Sequence, residues 1–102
     1  MNIVTRRTIL YYVKKYPLAA NSLKVWYGEL SKANFVNFND LKSVYGKASI
    51  VANNRVVFNI KGNSFRLIVS INFKKQAAYV IWFGTHAEYD QIDVTTISFN
   101  QN

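Results

Sequence analysis

The stretch Arg55-Val56-Val57-Phe58-Asn59-Ile60-Lys61-Gly62-Asn63-Ser64-Phe65-Arg66-Leu67-Ile68-Val69 decides the fold class. Val56, Phe58 and Ile60 alternate with Val57, Asn59 and Lys61. Beyond Gly62-Asn63, Phe65, Leu67, Val69, Ile71 and Phe73 alternate with Arg66, Ile68, Ser70, Asn72 and Lys74. A period of two marks a half-buried strand, and a Gly-containing dipeptide between two such runs marks a hairpin. With Gly62 and Asn63 at the centre of the turn, Asn59 faces Arg66, Lys61 faces Ser64, Phe58 faces Leu67, Ile60 faces Phe65 and Val56 faces Val69. That register gathers the large apolar residues on one face and leaves Asn59, Lys61, Ser64 and Arg66 on a polar, cationic one. A slip of one residue would reverse every side chain.

Downstream, a third strand runs from about Ala77 to Gly84. A turn near Lys75-Gln76 sets Asn72 opposite Tyr79, Ser70 opposite Ile81 and Arg66 level with Thr85. Val69 then meets Trp82, and Ile71 meets Val80, on the core side. Upstream, the period is helical. Thr5 is a candidate N-cap for a helix whose Ile9, Val13 and Tyr16 share one stripe. Pro17 ends that helix and suits the first position of the next. There Leu23, Trp26, Tyr27 and Leu30 form one apolar stripe. A short third helix starts from Asn39 as N-cap, with Leu41, Val44 and Tyr45 inward and Gly46 as its stop. Helices followed by strands predict an α+β fold, with the N-terminal helices packed on one face of a small antiparallel β-sheet.

The chain has 102 residues, half of them apolar and 16% aromatic, which suits a single domain over 1–102 with its own core. The absence of cysteine excludes a disulfide scaffold, a thiolate metal site and a cysteine nucleophile. A single histidine excludes the His-rich zinc sites. The longest apolar run, Ala77–Phe83, is far shorter than the roughly 20 residues that span a bilayer. Near the N-terminus, Lys14-Lys15 interrupts the apolar run Ile9–Val13 that follows Arg6-Arg7, so no signal peptide is read. These features predict a soluble, cytoplasmic protein with no membrane partner.

Charge points to a polyanion. Thirteen Lys and Arg oppose five Asp and Glu, a net charge of +8. Three of those acids, Glu88, Asp90 and Asp93, lie together near the C-terminus, so the first 87 residues carry thirteen positive charges against two negative. A field so lopsided on a small body attracts nucleic acid or a ribosomal surface.

The two hairpins deliver Lys61, Arg66 and the start of Gly84-Thr85-His86-Ala87-Glu88-Tyr89-Asp90 to one neighbourhood. Such a set suits RNA cleavage by the neighbouring 2′-hydroxyl, which needs a base, an acid and charge stabilisation on the crowded phosphate. Arg66 can clamp two phosphate oxygens without losing its charge, and Lys61 can add a point charge. His86 is the natural proton carrier near neutral pH. Tyr89 or Tyr79 can stack on a base or donate a proton. Glu88 or Asp90 can orient His86. Lys74 and Lys75 extend the cationic surface toward RNA.

The stretch Arg55–Val69 resembles the HigB toxin family of type II toxin–antitoxin systems, as does Gly84-Thr85-His86-Ala87-Glu88-Tyr89-Asp90. Their spacing and the helical first half fit as well, so the resemblance covers nearly the whole chain. It implies a RelE-like fold and a bacterial mRNA interferase that cuts mRNA on the translating ribosome. The resemblance further implies that no metal or cofactor is used, and that a cognate helix-turn-helix antitoxin of the HigA type holds the toxin inactive. Carried over by motif position, Lys61, Arg66, His86 and Tyr89 are the catalytic candidates. Asn59 joins Lys74, Lys75 and Tyr79 as a candidate RNA contact, and Asp90 is a support. Ile81 departs from the family pattern, since many members carry a basic residue there. Two other readings stay open: a toxin of the same fold that inhibits a different target by binding, as ParE relatives do with gyrase, and a non-catalytic RNA-binding domain.

Overall fold

The computed structural model describes residues 1–99. Along the chain lie β1 (Asn2–Ile3), α1 (Arg6–Lys15), a 3-10 turn (Pro17–Ala19), α2 (Ala20–Lys32) and α3 (Phe38–Val44). They are followed by β2 (Ser49–Val51), β3 (Arg55–Ile60), β4 (Phe65–Asn72), β5 (Ala77–Thr85) and α4 (His86–Tyr89). The strands order β1-β5-β4-β3-β2. Strands β2 to β5 pair antiparallel, as the alternation requires, but β1 runs parallel to β5, with Asn2 beside Ala77, so the sheet is mixed. β1 and β2 are two and three residues long, too short to show a period of two. Among the described residues no helix is long and apolar enough to cross a membrane.

The helices cover one face of the sheet. Ile9 and Tyr12 of α1, Leu23, Trp26 and Leu30 of α2, and Leu41 of α3 are buried against Val56, Phe58, Leu67, Val69, Ile71, Val80 and Phe83. Each such side chain, taken fully out of water, contributes roughly 1.5–3 kcal/mol. Pro17 stands at the first position of the 3-10 turn, and α1 ends two residues before it. Thr5 occupies the N-cap position of α1, yet its hydroxyl accepts from the Val80 amide at 2.7 Å and so pins the helix to β5. The cap of α3 is Asn37 rather than Asn39. The Asn37 side chain accepts from Asp40 N, while the Asp40 carboxylate accepts from Val36 N, both at 2.9 Å. Val44, expected inward, is exposed, whereas Leu41 is buried and Tyr45 is half-buried against the core.

The first hairpin has the register expected of it: Asn59 pairs with Arg66, Phe58 with Leu67, and Ile60 with Phe65. Its loop, Lys61–Ser64, closes with Ser64 N donating to Lys61 O at 3.2 Å. Both Lys61 (φ 53°) and Gly62 (φ 62°) take the left-handed conformation, which only glycine adopts at no steric cost.

The second hairpin differs from the expectation. Asn72 pairs with Ala77, Ile71 with Ala78, Ser70 with Tyr79 and Val69 with Val80, so the turn is centred on Lys74-Lys75. Asn72 sets it, its side-chain oxygen accepting from Lys75 N at 3.0 Å, and Gln76 closes it with a positive φ of 50°. Ile81 is then an extra residue, a bulge between the Val69–Val80 and Ile68–Trp82 pairs. The bulge exchanges the faces of the second half of β5. Trp82, expected inward, turns outward, and Phe83 enters the core, its ring stacked on Phe65 with centroids 5.3 Å apart. Arg66 consequently lies level with Gly84 rather than Thr85, and Ile81 does not face Ser70.

The second sheet face is less open than its alternation implies. Val57 and Ile68 are buried there. Arg55, on the same face, donates from Nη1 to the carbonyls of Val94 and Ile97 at 2.9 and 2.7 Å, and Asn53 Nδ2 donates to Thr95 O. The segment after α4 is thereby tied across this face.

Candidate functional site

The site is assembled where the β3–β4 loop meets the end of β5. His86 N donates to Ser64 O at 3.0 Å, and Ser64 N donates to Lys61 O. Two backbone hydrogen bonds therefore link His86 to Lys61. The chain turns from β5 into α4 through a reciprocal cap at Thr85-x-x-Glu88. Glu88 N donates to Thr85 Oγ1 at 3.1 Å, and Thr85 N donates to Glu88 Oε1 at 2.8 Å. His86 is the first residue of this turn, and Asp90 follows its last.

The exposed His86 ring contacts Asp90 through Nδ1 and Oδ2 at 3.1 Å. A carboxylate can only accept, so Nδ1 carries the proton and the lone pair of a neutral ring lies on Nε2. Of the two acids considered as orienting groups, Asp90 takes this place. Glu88 instead binds Tyr16, whose hydroxyl lies 2.9 Å and 3.2 Å from its two oxygens. Burial alone raises the Glu88 pKa, but hydrogen bonds from the Thr85 amide, the Tyr16 hydroxyl and the Thr85 hydroxyl outweigh it and leave the net shift downward. Burial, and then the hydrogen bond to Glu88, push the Tyr16 hydroxyl well above its ordinary range.

Arg66 is half-buried beside Asn59. Its guanidinium braces the loop: Nη1 donates to the carbonyls of Asn63 and Phe65 at 3.1 and 3.2 Å, and Nη2 donates to Asn63 Oδ1 at 3.1 Å. An arginine has five N–H donors, so Nε and one Nη2 hydrogen remain for a ligand. Arg66 thus shapes the loop as well as charging the site. The Lys61 side chain is exposed at the same loop.

Gly84 lets an aromatic pair close over this end of the sheet. A Cβ there would lie 2.5 Å from Cη2 and 2.7 Å from Cζ2 of Trp82, so the indole crosses the glycine directly. The Trp82 and Tyr89 rings have centroids 6.3 Å apart and are tilted by 50°. Alternation alone places Trp82 in the core, because Tyr79–Phe83 is apolar without interruption and hides the bulge. The Thr85-x-x-Glu88 spacing is a readable signal for Thr85 as the N-cap of α4 and Glu88 as its reciprocal partner.

Asn59, Lys61, Arg66, His86, Tyr89 and Asp90 therefore share one end of the sheet. Lys74, Lys75 and Tyr79 do not join them. The lysines occupy the β4–β5 turn at the opposite end, and Tyr79 stands six residues from Thr85, about 20 Å along a strand. They add to the field of the molecule and not to this cluster.

The family model for HigB_toxin, described as the RelE-like toxic component of a toxin–antitoxin system, matches residues 19–92. The mRNA interferase toxin HigB of Escherichia coli K12 is 27% identical over 92 residues, covering 88% of each chain. The mRNA interferase HigB of Shigella flexneri shows the same identity and coverage. With the predicted α+β arrangement in place and the matched segment reaching from α2 through α4, the chain belongs to the HigB toxin family.

Proposed function

We propose that this toxin is an endoribonuclease that cuts mRNA on the translating ribosome, in the cytoplasm, and is neutralised by a HigA-type helix-turn-helix antitoxin. The observation that carries the reading is the junction at Ser64, which ties the loop bearing Lys61 and braced by Arg66 to the turn bearing the His86–Asp90 pair. The relatives' shared name, mRNA interferase, supports the same class of substrate.

In this mechanism, Nε2 of His86 accepts the proton of the 2′-hydroxyl, and Asp90 steadies the imidazolium that forms. The 2′-oxygen bonds to phosphorus and the bond to the 5′-oxygen breaks, giving a 2′,3′-cyclic phosphate and a 5′-hydroxyl. The free donors of Arg66 and the Lys61 ammonium stabilise the charge that builds on the phosphoryl oxygens. Lys61 and Tyr89 are the donors in the cluster for the proton that the leaving 5′-oxygen takes up. Trp82 and Tyr89 offer stacking faces for bases beside the cut.

Mapping mRNA ends in a bacterial translation extract tests this, with the wild type, with Arg66→Ala, and with ribosomes omitted. New codon-phased 5′-ends that vanish in both controls are expected. Arrested translation without new ends would instead select the binding-inhibitor reading.

A further inference from the structure

On the open edge of β3, beside the same loop, lies a cleft of about 540 Å³ that the mechanism above does not use. Its lining includes Tyr45, Gly46, Lys47, Asn59, Gly62 and Asn63. It exists because β2 is short. β2 pairs only with Arg55, Val56 and Val57, so the edge of β3 from Phe58 onward carries no strand. The chain leading into β2 forms the opposite wall, and that wall is braced. Lys42 Nζ donates to the carbonyls of Gly46 and Ala48 at 3.2 and 2.5 Å, and Ala48 N donates to Tyr45 O at 3.0 Å.

The chemistry of the lining is selective. Each of the two asparagine amides offers a donor and an acceptor, and among the described residues no side-chain hydrogen bond engages the Asn59 amide or Asn63 Nδ2. Gly46 and Gly62 leave the space clear, since a Cβ at either would meet nothing within 4 Å. The Tyr45 ring sits edge-on to Phe58 at 5.0 Å, and burial pushes its hydroxyl up to about 12, so it stays a neutral donor. Lys47 is exposed beside the cleft, and no carboxylate is among the lining residues. A flat, uncharged group that both donates and accepts hydrogen bonds, carried on a polyanion, fits these features. The volume lies within the range of small-ligand pockets.

Asn63 joins the cleft to the cluster, because its side-chain oxygen accepts from Arg66. We infer that the cleft between Tyr45–Ala48 and the Lys61–Ser64 loop is a subsite for one unpaired RNA base, that of the nucleotide next to the phosphate held at Arg66. Single-stranded RNA is read in this way, by splayed bases that meet polar edges and aromatic rings. The inference rests on the ribonuclease reading for where the phosphate sits, but base binding itself can be tested without cleavage.

The first test is an NMR titration of the isolated protein, labelled with 15N, with 2′-O-methyl trinucleotides of each of the four bases. Abasic trinucleotide of equal charge is the control. Shifts at Gly46, Asn59, Gly62 and Asn63 that require a base are expected in the wild type, and those at Asn59, Gly62 and Asn63 should disappear in Gly46→Leu. If the abasic control produces the same shifts, or those residues do not move, the subsite is overturned. Gly46 has no positive φ and free space around its Cβ position, so the leucine variant should keep its fold, as circular dichroism would check.

The second test is end-mapping with Gly46→Leu. It should slow cutting about tenfold, the equivalent of one lost base contact, and flatten the wild type's base preference beside the cut. Unchanged rate and preference would remove the subsite from the reaction. A wild type that never cuts would sink the ribonuclease reading, while the titration would still decide the base site.

Discussion

The Tyr16 hydroxyl, just past the end of α1, donates to the Glu88 carboxylate of α4 at 2.9 Å. This bond ties the helical layer to the turn that carries His86. Tyr16 also packs edge-on against Phe65 and Phe83, and Lys15 Nζ lies 5.4 Å from its ring centre, so the tie is seated in the core at one end and cationic at the other.

Acid stability should report on this tie. The folded Glu88 pKa lies below its ordinary value of 4.5, so its contribution is present above that value and is lost as pH falls through the folded pKa. Glu88→Gln is expected to flatten the stability loss below pH 4.5 relative to the wild type. Tyr16 has the opposite sign: its contribution is present below its ordinary value of 10.0 and is lost as pH rises through the folded value. Urea titrations across pH, with a double-mutant cycle for Tyr16→Phe and Glu88→Gln, measure both effects. The coupling should be about 0.5–1 kcal/mol, because the pair is open to solvent. No coupling and parallel acid profiles would show that the bond holds nothing in place.

Gly84→Ala should displace the Trp82 indole. The added methyl would sit within 2.7 Å of two ring carbons, and relief requires the ring or β5 to move, at about 1–3 kcal/mol. A changed near-ultraviolet dichroism and a lower denaturation midpoint are expected, with partial recovery when Trp82→Phe is added. An unaltered midpoint would mean that the ring has another place to go.

Asp90→Asn separates orientation from chemistry in His86. The pair is exposed, so the substitution should change stability by less than about 0.5 kcal/mol. Cleavage on ribosomes should fall a few-fold to about tenfold, while His86→Ala should cost about 10²–10⁴. Equal losses in the two variants would place Asp90 in the proton transfer itself.

Ribosome binding should weaken steeply with salt, because the first 87 residues carry the excess of thirteen positive charges over two. Pelleting with ribosomes across a salt series measures it. A flat series would mean that docking does not depend on this field, and Lys74→Ala with Lys75→Ala should shallow the slope without changing the cut position.

What was legible in the chain followed the strength of local patterning. The β3–β4 hairpin could be read residue by residue, because Gly62-Asn63 and two clean alternations agree, and with it came the Asn59–Arg66 pair. The second half of β5 could not be read, because Tyr79-Val80-Ile81-Trp82-Phe83 has no polar residue to reveal that Ile81 bulges out and reverses the faces. Asn37 and Asn39 are equivalent as caps in sequence, and the choice between them depends on the return bond that Val36 N donates to the Asp40 carboxylate. The same limit applies to the site. Lys61 and Arg66 converge through one well-marked turn. His86 still reaches them because the shifted second turn and the bulge together displace the end of β5 by only one residue, whereas Trp82 and the cleft at Gly46 depend on that bulge and on a strand three residues long. Tyr79, Lys74 and Lys75 had the right chemistry but lay at the wrong end of a long strand.

Arg66 carries two duties that substitution can separate. Asn63→Ala removes the side-chain acceptor at 3.1 Å and frees a guanidinium hydrogen, leaving the charge in place. Its cleavage rate should stay within about tenfold of the wild type, and its loop amides at Ser64 and His86 should exchange faster with solvent. Arg66→Lys keeps the charge but cannot reach two acceptors in one plane, so it should cut slowly and show the same fast exchange. Arg66→Ala should abolish cutting, since both the phosphate clamp and the loop brace are gone. Single-turnover cleavage on ribosomes, paired with hydrogen exchange, distinguishes the roles. If Asn63→Ala is as inactive as Arg66→Ala and still binds the trinucleotides, the loop geometry is what the reaction needs from Arg66, and its charge on the phosphate is secondary.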